Sequence, residues 1–323
     1  MRKSTKIWLL ISFSLILLGS ITFTATACAV GWDFSKFNTT DFETTTHTLT
    51  ESFQNLSIDI DTADITFLPS ENEECKVVCY EDVKQKHSVT VENNTLTIQQ
   101  SDERVWYDHI SIIGSGNTEI KVYLPQTQYT ALTIESSTGD IKIPENFTFD
   151  NVNISGSTCN VECSMAVTNS LIVEISTGDI TLKNVTAGET SLTVSTGDII
   201  VKNVTVENTL TTKASTGDID LTNITCTNLT HNAKSGSIDM ENVIVAEKMS
   251  ITTTTGDVEF ERCDAGEIYI KTSTGDVEGS LLTTKDFHAD SNTGDIQVPP
   301  SSEGGKCEII CSTGDIEITV INK

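Results

Sequence analysis

The segment Ser195-Thr196-Gly197-Asp198-Ile199-Ile200-Val201-Lys202-Asn203-Val204-Thr205-Val206 holds, in one copy, a pattern that runs through more than half of this 323-residue chain. Ser-Thr-Gly-Asp occurs six times, ending at Asp140, Asp179, Asp198, Asp218, Asp276 and Asp315, and Thr-Gly-Asp twice more, ending at Asp257 and Asp295. Two degenerate copies fill the gaps. Ser157-Thr158-Cys159-Asn160 has Cys in the glycine slot, and Lys234-Ser235-Gly236-Ser237 has Ser in the aspartate slot. The slot therefore falls at Gly139, Cys159, Gly178, Gly197, Gly217, Gly236, Gly256, Gly275, Gly294 and Gly314, always 19 or 20 residues apart. A fixed period of this length is the signature of a repeat architecture.

Aligned on that slot, the copies share apolar columns. Two residues after it stand Ile141, Val161, Ile180, Ile199, Ile219, Ile238, Val258, Val277, Ile296 and Ile316. Four after stand Ile143, Cys163, Leu182, Val201, Leu221, Met240, Phe260, Val298 and Ile318, interrupted by Gly279. Further apolar columns lie seven and nine after and seven before. Period-two alternation with β-branched residues predicts short half-buried strands, and the density of Gly and Asn excludes helices. Each copy reads as one coil of a β-solenoid with about three short strands, stabilised only by stacking on its neighbours through a parallel ladder. At ~4.8 Å per rung, ten coils give a rod roughly 45 Å long. Upstream, Ser57 to Phe67 repeats the same grammar with Ala63 in the glycine slot, and residues 69–135 read as wider, irregular coils that cap the membrane-proximal end. Strand-like stretches there are Cys75 to Tyr80, Ser88 to Val91, Thr95 to Gln99 and Glu119 to Leu124. The organisation expected is an anchor or signal segment at 1–31, a linker at 32–52, irregular coils at 53–135 and regular repeats at 136–323, with no separate catalytic domain.

Composition agrees with a thin, repetitive core: 37% hydrophobic and 6% aromatic residues. The net charge is −26 and only Arg2, Arg104 and Arg262 are arginines, which excludes nucleic acid as a natural partner. One apolar run exists. After Arg2, Lys3 and Lys6, residues 7–31 carry no charge, enough for the ~20 residues of a membrane-spanning helix. Three fates are open: an uncleaved single-pass anchor, a lipoprotein acylated at Cys28, or cleavage after Ala25-Thr26-Ala27. All three leave the basic end in the cytoplasm and everything from about Asp33 outside.

The repeated Gly reads as a turn residue at positive φ and the Asp as a side-chain cap of the turn, in an Asx-type arrangement. Stacked coils then put Asp140, Asp179, Asp198, Asp218, Asp257, Asp276, Asp295 and Asp315 in one column. Carboxylates would lie ~5 Å apart there, and calcium is the cation such an oxygen-rich column suggests. Against calcium, each turn supplies one carboxylate where the ion takes about six to eight oxygens. Asn184, Asn203, Asn223 and Asn242, six after the slot, read as an internal asparagine stack in the second turn. The Asn-Val-Thr and Asn-Ile-Thr strings that result match glycosylation acceptors, but the repeat itself generates them.

Nine cysteines do not make a disulfide framework. Cys75/Cys79, Cys159/Cys163 and Cys307/Cys311 are four apart, ~13 Å along a strand, beyond the ~7 Å a bridge spans. Cys163, Cys226, Cys263 and Cys311 read as small buried hydrophobes, and Cys159, in a turn slot built for Gly, as the exposed exception. No Cys-x-x-Cys pair or nearby histidine points to zinc. His47, His87, His109, His231 and His288 fall at unrelated phases, and no nucleophile elbow or phosphate loop occurs, so an enzyme is not expected. Trp8, Trp32 and Trp106 all precede the regular repeats and Tyr269 is the only Tyr or Trp within them, few aromatics for a sugar-binding platform.

A basic N-terminus, one membrane segment, an irregular strand-rich section and then Ser-Thr-Gly-Asp-Ile at this spacing resemble the adhesin-type family of β-strand-repeat proteins of bacterial envelopes, a family catalogued as a domain of unknown function. The resemblance spans roughly Phe53 to Val320. It implies a β-solenoid, an envelope location and no established activity. The reading is a non-enzymatic, membrane-anchored extracellular rod that binds a cell-wall or surface ligand, as adhesin or scaffold. The alternative is the ectodomain of an envelope-stress sensing system. Six residues before the apolar run cannot hold a signalling domain, so that role requires a membrane partner protein. Calcium-dependent assembly is a third reading.

Overall fold

A computed structural model describes residues 3–29, 31–32, 41–102, 118–300 and 303–321. Arg2, Arg104, Trp106 and His109 lie outside these residues. Helix Lys3–Ala29 takes up the apolar run, and its stretch Thr5–Ala29 is long and apolar enough to cross a membrane. The most apolar part of that stretch is not buried against the rest of the chain. Apart from this helix, the regular structure among the described residues is β, in one 23-stranded sheet wound as a β-solenoid.

A single coil shows why the period is 19 to 20. After Gly197, residues 199–202, 204–206 and 209–216 each pair in register with the next coil, giving three paired runs. Three corners separate them. Gly197 has φ 137°, Asn203 has φ 56°, and the ladder register shifts between Val206 and Thr209. A φ of 137° is open to glycine alone, and 56° is the left-handed region where Asn is among the best-tolerated other residues. Inward positions follow the predicted columns: Ile199, Val201, Val204, Val206 and Leu210 are each at most 1% exposed. Each such side chain contributes ~1.5–3 kcal/mol of burial, realised only once a neighbouring coil covers it.

The asparagine stack forms, but on the outside. Asn203 donates to Asn184 Oδ1 at 3.1 Å, Asn223 to Asn203 at 2.9 Å and Asn242 to Asn223 at 3.2 Å, and Arg262 Nε closes the row on Asn242 Oδ1 at 3.0 Å. A residue at this left-handed corner directs its side chain away from the core, and Asn184, Asn203 and Asn223 are exposed. Cys159 is also placed otherwise than expected, at 3% exposure. Gly156, three residues earlier in the same coil, leaves the space that its sulfur fills: a Cβ at Gly156 would overlap Cys159 Sγ. Apart from the exposed Cys28, every cysteine is buried and free.

At both ends the order of coils in space departs from their order in the chain. Strand Asn55–Thr62 lies between Thr95–Asp102 and Gln128–Thr138, parallel to both. The coil that is first in sequence is therefore second in the stack. At the other end, the last strands Lys306–Thr313 and Ile316–Val320 slide between the coil of Val258–Thr274 and Val277–Leu281 and the coil of Asp286–Ser291 and Ile296–Gln297. Gly305 makes the insertion possible, because any Cβ there would overlap the Gly266 carbonyl. Neither end of the solenoid domain in sequence is thus a free outermost rung. Ile296 belongs to an apolar column yet is 42% exposed, because its coil is outermost.

The N-terminal section is one parallel rung, Thr95–Asp102 and Glu119–Leu124, with antiparallel strands capping it, rather than a set of wider coils. Cys75–Asp82 runs antiparallel to Phe42–Leu49 and Glu119–Leu124, and Gln85–Glu92 antiparallel to Thr95–Asp102. Phe42–Leu49 falls in the stretch read as linker, so that stretch contains a strand of the cap.

His231 occupies a core position, 1% exposed, in a column whose neighbouring rungs carry Leu192, Thr212 and Ile251. Its Nδ1 pairs with Thr212 Oγ1 at 2.8 Å, while Nε2 is buried without a partner. Burial pushes its pKa down from 6.5 to about 4. The folded state then binds fewer protons than the unfolded chain, so stability is complete above 6.5 and is lost as pH falls from 6.5 towards 4. His231→Leu is expected to abolish this loss, up to about 3 kcal/mol between the two limits, read as the difference between wild-type and variant thermal melts at about pH 7 and about pH 4.5.

Candidate functional site

The recurrent turn joins coil to coil. Gly197 N–H donates to Thr216 O and Ile199 N–H to Asp218 O, both at 3.0 Å. Between these two backbone bonds the N–H of the aspartate slot is left over, and a side chain takes it: Asp218 N–H donates to Asp198 Oδ1 at 2.8 Å, and Asp198 N–H to Asp179 Oδ1 at 2.9 Å. Each Asp thus caps the turn of the next coil rather than its own. The row starts at Asp64, which receives Asp140 N–H at 2.9 Å, and passes through Asn160, whose Oδ1 receives Asp179 N–H and whose amide donates to Asp140. It ends in the exchanged order Asp276, Asp315, Asp295. Ser237 N–H donates to Asp218 Oδ1, but among the described residues the Ser237 side chain caps nothing.

The predicted glycines Gly139, Gly178, Gly197, Gly217, Gly236, Gly256, Gly275, Gly294 and Gly314 all have φ between 120° and 148°. At Gly217 a Cβ would also overlap the Gly197 carbonyl beneath it. The carboxylates of Asp64, Asp140, Asp179, Asp198, Asp218, Asp257, Asp276 and Asp315 therefore share one side of the rod with Asp295 outermost, and those with a capping role have one oxygen already engaged.

A second acidic column lies beside the first, and the sequence reading did not single it out. Two residues beyond the aspartate slot, Asp220, Asp239, Glu259, Glu278 and Glu317 stand directly opposite one another in five successive rungs. Asp239, Glu259, Glu278 and Glu317 are exposed and Asp220 is half-buried. Glu241 and Glu261 are register partners alongside. At ~5 Å each pair repels by close to ~1 kcal/mol in water and more near a protein surface. Like charges directly opposite destabilise a sheet. Earlier rungs of the same column carry one carboxylate, Glu162, which faces Lys142 and Thr181 and lies between the Lys142 ammonium at 3.1 Å and that of Lys183 at 3.2 Å. Those two lysine bonds hold the Glu162 carboxyl below the usual carboxylate range.

The acidic column borders a trough of about 460 Å³ lined by Asp220, Asp239, Glu259, Glu278, Met240 and Phe260, with Lys202 also in its wall. Gly279, the interruption in the apolar column, explains the floor: a side chain there would overlap the Phe260 ring. A second cavity, of about 850 Å³, opens beside the cap with Glu51, Glu71, Glu73 and Glu74 at its rim, and Phe53 stacked on Tyr129 at 6.0 Å along its wall. Partial burial, and then the charges of Glu259, Asp220, Asp218 and Asp257, push the Asp239 carboxyl above its ordinary value. A raised carboxyl contributes stability that is complete below the unfolded pKa and is lost as pH rises through the folded value. Asp239→Asn should therefore raise the midpoint of thermal unfolding at about pH 7, by an amount that shrinks as salt is added, and flatten the gain that the wild type shows on acidification.

A comparison with curated proteins found no match. Among solved structures, similar ones include a "putative lipid binding protein" from Parabacteroides distasonis, 16% identical with a TM-score of 0.47, covering 73% of this chain and 94% of that one. A "putative adhesin" from Bacteroides fragilis is 11% identical with a TM-score of 0.40, covering 86% and 97%. Another "putative adhesin" from Parabacteroides distasonis is 10% identical with a TM-score of 0.42 over the same shares. The family model Toastrack DUF4097 matches residues 53–209 and 207–323, which together cover most of the cap and every coil of the solenoid. The chain belongs to the Toastrack DUF4097 family.

Proposed function

We propose that the protein is a non-enzymatic, adhesin-like rod anchored in the bacterial membrane by helix Lys3–Ala29, with the solenoid outside, and that the acidic column of its C-terminal coils is the binding face. The observation that carries this is the run Asp220, Asp239, Glu259, Glu278, Glu317: five carboxylates in register, with no ion pair across them among the described residues. The fold incurs a repulsion here, whereas Glu162 in the same column, three rungs from Asp220, faces no carboxylate and lies between two lysines. A site that gains from being covered by positive charge accounts for that difference. The partner class is a polycationic surface component, or an anionic wall polymer bridged through calcium. The turn column Asp140 to Asp315 contributes free second oxygens to such cations but serves first to cap turns. Cys28, exposed near the outer end of the helix, is the position for lipid attachment if the segment is processed.

Co-sedimentation of residues 33–323 with isolated cell walls, with and without calcium, tests the reading. Saturable retention is expected, reduced about tenfold or more in an Asp239→Asn, Glu259→Gln, Glu278→Gln variant, as loss of a charged interface predicts. Absence of retention under both conditions would overturn it and favour the ectodomain of a membrane regulatory pair.

A further inference from the structure

The cap contains a cluster that the solenoid does not explain. Strands Cys75–Asp82 and Gln85–Glu92 are joined by a tight turn, with Asp82 paired to Gln85. Residues at alternate positions share a face, so Cys79 and Glu81 point inward together and His87 meets them from the second strand. All three are buried, at 0%, 0% and 4% exposure. Cys79 Sγ, one Glu81 carboxylate oxygen and one His87 ring nitrogen lie within 4.8 Å of one another.

Their hydrogen bonding is incomplete. Glu81 Oε2 accepts the His87 backbone N–H at 2.7 Å and pairs with His87 Nδ1 at 2.8 Å. Glu81 Oε1 and His87 Nε2 are buried with no partner. Across the sheet, His47 stands opposite Val77, one same-face position from Cys79, and its Nε2 is also buried and unpartnered. Each such orphan costs ~1–3 kcal/mol, and three in one small region would be expensive in a cap whose task is only to cover the end of a solenoid.

We propose that Cys79, Glu81 and His87 form a transition-metal site of the zinc class in the N-terminal cap, with His47 or a water in the fourth position. Thiolate, imidazole and carboxylate are the ligands zinc takes, at about 2.0–2.3 Å in a tetrahedron. Such ligands stand roughly 3.5 Å apart, so the present cluster needs a contraction of about 1 Å or a little more. Charge also balances: Zn²⁺ with one thiolate and one carboxylate is neutral, which suits a buried position. Calcium and magnesium are disfavoured by the sulfur and nitrogen donors. Without metal, burial and then the Glu81 charge push the Cys79 thiol up to about 12. Binding therefore releases the thiol proton to solvent as the metal–sulfur bond forms, and affinity rises with pH.

The test uses the full chain in detergent, stripped with chelator and titrated with CoCl₂. One Co²⁺ per chain with thiolate-to-cobalt charge-transfer absorption is expected. Cys79→Ser should lose that absorption, whereas Cys28→Ser and Cys226→Ser, which alter an exposed and a distant buried thiol, should keep it. His87→Gln should bind at least about tenfold more weakly, as loss of a ligand predicts, and wild-type chain should unfold at a higher temperature with Zn²⁺ than with chelator. Cobalt bound without charge-transfer absorption, or equal absorption in wild type and Cys79→Ser, would overturn the proposal. If Cys79→Ser does not fold, the wild-type absorption and its weakening in His87→Gln decide the matter.

Discussion

From Gly178 onward, coil is held to coil at the Gly–Asp turn, where the carbonyl of one glycine lies directly beneath the next and leaves no room for a side chain. That contact fixes the rung spacing, and the rest follows from it. Because three corners recur every 19 or 20 residues, side chains with the same phase fall into columns, whatever their chemistry. Apolar columns gain burial from being stacked. Polar columns must find their own compensation.

The columns solve that problem in different ways. The asparagines pair amide to carbonyl along the outside and finish on Arg262. The turn aspartates other than the outermost Asp295 use one oxygen each on the leftover N–H of the next coil, turning a repulsive row into a row of charge-assisted bonds. Glu162 is flanked by lysines. The row from Asp220 to Glu317 is the longest run of facing carboxylates without compensation of these kinds among the described residues, which is why the proposed binding face lies there and not on the more conspicuous Ser-Thr-Gly-Asp motif.

Much of this was legible in the sequence, and the rest was hidden for identifiable reasons. Period, turn glycines and apolar columns are local and repeat, so Ile199 or Leu221 could be placed by phase alone. The exchange of coils at the ends was not legible, because the step from Gly294 to Gly314 is 20 residues whether the last coil stacks outermost or slips inside. The burial of Cys159 depended on reading Gly156 together with it. The outward side of the asparagine corner depended on φ, which spacing does not give. Cys79, Glu81 and His87 carry no Cys-x-x-Cys signature, because a hairpin gathers ligands at alternate positions on two strands. In the candidate face, the residue two beyond the aspartate slot varies among Lys, Glu, Thr, Ile, Asp and Gln from coil to coil, so no motif marks it until the rungs are stacked.

The claim that the turn aspartates stitch neighbouring coils is tested most directly by hydrogen-exchange mass spectrometry of wild type and Asp198→Ala. Faster exchange confined to the turn at Gly217 and Asp218, whose N–H the lost carboxylate held, is the result this account predicts. Unchanged protection at that turn, with any loss confined to the coil of Asp198 itself, would contradict it and return the aspartate to capping its own coil.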